Sequence, residues 1–379
     1  MFGLFRKKTR EIVRFDVRFR PSATTLKLER GANLLEAALR HGVAAPYNCR
    51  VGACKTCRIK VLEGTPASLI EREYMFTREE MEDGAFLACQ TTVQSDMVVS
   101  WHAEPPTAVT LAATLVAVRR MTPRIQRVEL RLEEPLSWRA GQFARLRPAG
   151  LNITPRSYSM VAPGRDDTLI AFDVTRYLDG AVSSWLSDPG NLEGQVMVEA
   201  PFGEFGLDGV AGAPLLCIAG GSGMGAIGGI LASHAHRVTE LHGASASPAP
   251  VLLVVGARDR AETYGLDELR STAEHAKVPF QVDIVLDREP VDSGWQGRRG
   301  YVAEHLPQIL RQAAQRDPRF SQPEQSWRVL LCGPTPLVDT SIEALRRVGM
   351  EVHQMAFDKY APTMGGASPT GTRMQADHV

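Results

Sequence analysis

The sequence predicts a multidomain chain made of a small α+β unit, an antiparallel β-barrel and an α/β domain with a parallel sheet. Length is one reason, since 379 residues exceed what a single hydrophobic core ordinarily serves. A change of pattern is another. Short strand-like runs broken by Pro and Gly give way, after "GVAGAP" at 209–214, to continuous apolar runs alternating with helical stretches. The pair Pro105 and Pro106 in "AEPPTAV" removes backbone donors and stiffens the chain, as a linker does.

Residues 11–104 read as the α+β unit, with one helix, "NLLEAALRHG", opening near Asn33 and stopping at Gly42. Residues 110–208 carry "TLVAVRRM", "RVELRL", "QFARLRP" and "LIAFDVTRYL", the strands expected of an antiparallel barrel. From 213 to 360, "LLCIA", "VLLVVGA", "VDIVL" and "RVLLC" alternate with "GLDELRSTAEHA" and "VDTSIEALRRVG", the signature of a parallel sheet covered on both faces. Residues 361–379 have almost nothing to bury and are expected to form a flexible tail.

Lys plus Arg number 43 and Asp plus Glu number 43, so no overall field recruits nucleic acid. Six cysteines in a chain of this size, behind no secretory leader, argue against a disulfide framework and for the reducing cytoplasm. No apolar run reaches the roughly 18 residues of a spanning helix. The start, "MFGLFRKKTR", is apolar and basic but too short for a signal peptide, which leaves a solvated terminus or a weak membrane contact through residues 2–9.

Cys49, Cys54 and Cys57 are spaced C-x4-C-x2-C, and Cys89 follows after another 31 residues. Two irons bridged by sulfide need two thiolates each, and their negative charge needs backbone N–H groups close by, which Gly52 and Ala53 permit. Zinc is the alternative, through the C-x-x-C pair Cys54 and Cys57, but Cys89 has no second cysteine beside it. "YNCRVGACKTC" with "LACQT" resembles the plant-type ferredoxin family. That resemblance implies a β-grasp-like domain with a [2Fe-2S] cluster on Cys49, Cys54, Cys57 and Cys89.

In "TPRSYSMV", strand alternation sends Arg156 and Tyr158 to one face. A guanidinium there can grip a pyrophosphate while a phenol ring lies against a flavin, with Ser159 in reach of a ring nitrogen. By itself the quartet also suits an ordinary amphipathic strand. Its companions are "AGQF", "DGAVSSWL", where Gly180 and Ser183 open a helix, and "PFGEFGL". The ordered set resembles the ferredoxin-NADP reductase superfamily, which implies FAD held by Arg156, Tyr158, Ser159, Gly180 and Ser183.

"LLCIAGGSGMGAI" runs from an apolar strand through Gly221, Gly223 and Gly225 into a helix, the setting that receives a dinucleotide pyrophosphate. The acidic residue of an ordinary Rossmann fingerprint does not follow about 20 positions later. "VLLCGPTPLV" supplies a second strand end, with Cys332, Gly333 and Pro334 at its mouth. Cys217 sits mid-strand and reads as core. The superfamily resemblance implies that the two glycine loops flank the nicotinamide and that Tyr360, in "MAFDKYAP", covers the flavin. A plain core aromatic is the other reading of Tyr360. In "RDRAETYGLDEL", Arg258 and Arg260 favour a 2'-phosphate whereas Asp259 and Glu262 oppose one, and the resemblance leans toward NADH.

As a whole, the chain resembles the reductase component of bacterial multicomponent oxygenases. This implies that electrons pass from NADH to FAD to the [2Fe-2S] cluster, then near Arg50 and Lys55 to a terminal oxygenase or hydroxylase, or to its ferredoxin. It implies catalytic parts for Tyr360, Cys332 and Ser159. Other readings are a donor to a membrane desaturase or hydroxylase, and a redox sensor without turnover.

Overall fold

A computed structural model describes residues 12–47, 49–101, 108–161, 166–177, 179–207, 212–241, 248–321 and 327–360. The terminal segments read above as membrane contact and tail, and most of the proline linker, lie outside them.

In the first unit, β1 (Arg14–Arg20), β2 (Thr25–Glu29), β3 (Arg58–Glu63), β5 (Ala85–Leu87) and β7 (Met97–Trp101) form a mixed sheet in the order β2-β1-β7-β3-β5. β4 (Ala67–Ser68) pairs with β6 (Thr91–Thr92) beside it. Helix α1 (Leu34–Arg40) starts where its chemistry says: the Asn33 side chain accepts from the Glu36 N–H, and Gly42 takes the left-handed turn that ends it. Leu34, Leu35, Ala37 and Ala38 are buried. Short α2 (Arg78–Glu82) is capped by Thr77 and Glu80.

Strands β8 (Val109–Arg120), β9 (Ile125–Leu132), β10 (Phe143–Pro148), β11 (Arg156–Val161), β12 (Leu169–Thr175) and β13 (Gln195–Phe202) close an antiparallel barrel in the order β10-β11-β12-β9-β8-β13. Its interior is apolar, with Leu115, Leu130, Leu146 and Phe172 fully covered. Helix α3 (Ala181–Leu186) lies across β10 and β12.

The third unit is a six-stranded parallel sheet: β14 (Leu215–Gly220), β15 (Val251–Ala257), β16 (Phe280–Leu286), β17 (Arg298–Arg299), β18 (Arg328–Pro334) and β19 (Met355–Tyr360), ordered β17-β16-β15-β14-β18-β19. All of β14 is buried, as its unbroken apolar run requires, and Cys217 is core. Helices α4 (Gly223–Leu241), α5 (Leu266–His275), α6 (Val302–Arg316) and α7 (Thr335–Arg347) make the crossovers. The strand order reverses between β14 and β18, so a ligand crevice opens at their carboxyl ends. One apolar cluster joins the first unit to the face of this sheet that carries Met355 and Phe357.

Candidate functional site

The cysteine loop turns on three left-handed residues: Arg50 (φ 60°), Gly52 (φ 76°) and Lys55 (φ 55°). Only Gly52 is obliged to be glycine for space as well, because a Cβ there would lie 2.8 Å from the Gln90 side chain. This fold aims N–H groups at sulfur. Those of Ala53 and Cys54 donate to Cys49 Sγ, and that of Cys49 to Cys54 Sγ, each at 3.4 Å. Gln90 Nε2 donates to Cys89 Sγ at 3.6 Å and to the Arg50 carbonyl at 3.3 Å. Asn33, the cap of α1, also donates to the Cys89 carbonyl at 2.8 Å.

The sulfurs form two hydrogen-bonded pairs, Cys49 with Cys54 and Cys57 with Cys89. Hydrogen bonding from Cys49 brings the Cys54 thiol down to about 7, and Cys57 lowers Cys89 in the same way. Two thiol pairs under a canopy of N–H groups fit a [2Fe-2S] cluster.

On β11, Arg156 is half-buried and, among the described residues, makes only long hydrogen bonds, at 3.4 Å, to the carbonyls of Thr154 and Pro155. Its fork therefore fits a pyrophosphate. Tyr158 packs edge-on to Phe172 at 6.4 Å, and burial pushes its phenol up. Ser159 Oγ donates to Asp358 Oδ2 on β19 at 3.0 Å. At the start of α3, Ser183 Oγ donates to the Gly180 carbonyl at 3.1 Å and accepts from the Tyr177 N–H. That hydroxyl is committed to its own turn.

The two glycine loops meet. A Cβ on Gly223 would lie 2.2 Å from the Cys332 carbonyl, and one on Gly333 would lie 3.0 Å from the Gly220 carbonyl, so glycine lets the ends of β14 and β18 touch. Gly221 faces open space, and Pro334 precedes α7. Gly225 instead backs onto the barrel, where a Cβ would lie 2.4 Å from Asp173 Oδ2. Cys332 Sγ and the Tyr360 hydroxyl are 2.7 Å apart, and burial drives both groups up, so the thiol is neutral.

Sequence reasoning missed Asp358. Its signal was a carboxylate at a strand position shared with Ala356 and Tyr360. Burial first, then the charge on Cys49, pushes Asp358 up to about 7. It lines a cavity of about 150 Å³ with Cys54, Lys55, Phe143, Phe205 and Phe357, where all three units meet. Lys55 thus faces inward, whereas Arg50 stays a third exposed, 3.5 Å from Glu36.

Also unforeseen were the bonds between barrel and parallel-sheet unit. Within the barrel Arg127 grips Asp173 with two hydrogen bonds, at 2.8 and 3.0 Å, and from the parallel-sheet unit Tyr264 donates to the same carboxylate at 2.9 Å. Arg124 and Thr122 hold Glu262 at 3.0 and 3.2 Å. Thr175 donates to Ser222 at 3.2 Å.

Residues 17–94 match the 2Fe-2S iron-sulfur cluster binding domain, and residues 217–342 match the oxidoreductase NAD-binding domain. The chain is 30% identical over 346 residues to the aromatic O-demethylase reductase subunit of Amycolatopsis sp., covering 88% of this chain and 95% of that one. It is 28% identical over 337 residues to the xylene/toluene monooxygenase electron transfer component XylA of Pseudomonas putida, covering 88% and 90%. The crystal structure of the Amycolatopsis cytochrome P450 reductase GcoB superposes with a TM-score of 0.60 at 30% identity, over 92% of this chain and 99% of that one. The chain belongs to the NAD(P)H-dependent reductase components of oxygenase systems, electron-transfer oxidoreductases that combine a [2Fe-2S] cluster, FAD and NAD(H).

Proposed function

We propose that this chain takes electrons from NADH and delivers them through FAD and the cluster to a terminal oxygenase or hydroxylase, or to that enzyme's ferredoxin, in the cytoplasm. The domain limits in this reading are 11–104, 110–208 and 213–360, with a tail at 361–379. When bound, the flavin accepts a pair of electrons as hydride and the cluster passes them on singly.

The chain's residues bind and orient. Cys49, Cys54, Cys57 and Cys89 ligate iron. Arg156 holds the FAD pyrophosphate, with Gly180 and Ser183 shaping the turn beside it, and Tyr158 and Ser159 border the ring. Gly221 and Gly223 lead the dinucleotide to Cys332, Gly333 and Pro334, while Gly225 seats their helix against the barrel. Tyr360, tethered through its hydroxyl to Cys332, moves aside for the nicotinamide. Ser159 Oγ and Asp358 Oδ2 hold a proton between barrel and sheet.

The observation that carries this reading is the cavity shared by the cysteine loop, the barrel and β19, because it puts the cluster ligand Cys54 within one space with Phe143 of the barrel and Asp358 of the parallel sheet. For the exit, Arg50 on the outer side of the loop supports a docking point for the acceptor protein. Among the described residues no helix is long and apolar enough to cross a membrane.

The test is protein purified without air and loaded with its cofactors. It should show flavin absorption over a broad iron-sulfur background, two irons per chain, and NADH-driven reduction of cytochrome c. Folded, loaded protein that oxidises no NADH with any artificial acceptor would mark a sensor instead.

A further inference from the structure

Two loops at the carboxyl ends of neighbouring parallel strands are joined by one ion pair. After β15, Arg260 Nε donates to Glu289 Oε1 at 2.8 Å and the Arg260 backbone N–H donates to Glu289 Oε2 at 2.9 Å. Arg260 Nη2 donates to the Ser293 carbonyl at 2.8 Å. Glu289 follows β16, and its side chain is only 4% exposed against 53% for Arg260. Arg299 buttresses the loop through the carbonyls of Glu289 and Trp295.

On a sheet of this kind the pyrophosphate lies at the switch point, here between β14 and β18, and the adenosine ribose lies over the next strand end. That end is β15. A 2'-phosphate on the ribose is recognised by an arginine fork. The loop after β15 carries two candidates, Arg258 and Arg260. Arg258 is exposed. In Arg260 the Nε and Nη2 donors are already engaged by Glu289 and Ser293, while Asp259, between the two arginines, caps the Glu262 N–H at 3.2 Å and adds negative charge.

We propose that Glu289 is a specificity-determining residue, withholding the Arg260 guanidinium from a 2'-phosphate and so favouring the dinucleotide with a free 2'-hydroxyl. This rests on the NADH reading above and gives it a physical cause. A merely structural Glu289 would stitch two loops together without touching nucleotide choice.

The experiment uses the full, cofactor-loaded chain and compares binding of 2',5'-ADP with 5'-AMP by calorimetry, alongside kcat/KM for NADPH and NADH. Glu289→Gln keeps the shape and removes the charge. It should raise the 2',5'-ADP to 5'-AMP affinity ratio about tenfold, the effect of one charge-assisted phosphate contact. Adding Arg260→Ala to it should cancel the gain, and Arg260→Ala alone should leave the wild-type ratio unchanged. An unchanged ratio in folded Glu289→Gln, or a gain that survives in the double variant, overturns the proposal. Should the Glu289 variant not fold, a fall in the ratio with Arg260→Ala alone overturns it equally, and an unchanged ratio supports it. Wild-type protein that uses NADPH as well as NADH would reject the NADH reading by itself, before any variant is made.

Discussion

Ser159 on the barrel donates a 3.0 Å hydrogen bond to Asp358 on the last strand of the parallel sheet, 199 positions later in the chain. The contact ties the barrel to the last strand of the parallel sheet. Because desolvation pushes the half-buried Asp358 up to about 7, the folded protein holds a proton there that the unfolded chain releases near pH 4. The native state therefore binds more protons between pH 4 and 7, and stability from this residue is lost as pH rises through that window. Asp358→Asn, which cannot ionise, should gain on wild type as pH rises from 4 to 8, by up to about 4 kcal/mol in all, read from denaturation midpoints. A difference independent of pH would contradict this.

Cys89→Ser should abolish reduction of cytochrome c while a dye that takes electrons from the flavin is still reduced. Loss of both activities in folded protein would contradict the order of carriers.

Gly52→Ala should cut iron content without unfolding the barrel. Its Cβ would press on Gln90 at 2.8 Å from a left-handed backbone, displacing the side chain that donates to Cys89 Sγ. Iron per chain and the flavin spectrum, measured on one sample, separate the two effects.

Asp173→Asn should destabilise the protein by about 3–5 kcal/mol, since the carboxylate is 1% exposed and its loss leaves Arg127 without its charge partner. Replacing both partners with apolar residues, Arg127→Met with Asp173→Leu, should recover much of that. Urea midpoints on the single and double variants check this, and an additive double would count against it.

Sequence alone revealed the elements whose physics is local. Asn33 and Gly42 bracket α1 as cap and stop, and the alternation in "RSYSMV" fixes which side chains share a face. Pro307 lies within α6, where the buried face that includes Leu306, Ile309 and Leu310 outweighs the missing backbone donor. What stayed hidden was long-range pairing. Nothing near Glu262 announces Arg124 or Thr122, and nothing near Asp173 announces Tyr264, because those partners meet only once two units dock. Ser183, chosen from the sequence for its place at a helix start, also ties its own turn through the Gly180 carbonyl.

The final described strand, Met355–Tyr360, contributes to the floor beside the cysteines, the carboxylate opposite Ser159 and the phenol on Cys332. The junction therefore cannot assemble until the chain through Tyr360 has been made. A message truncated just upstream would yield a polypeptide that still owns its four thiols and its glycine turn yet has no wiring between them.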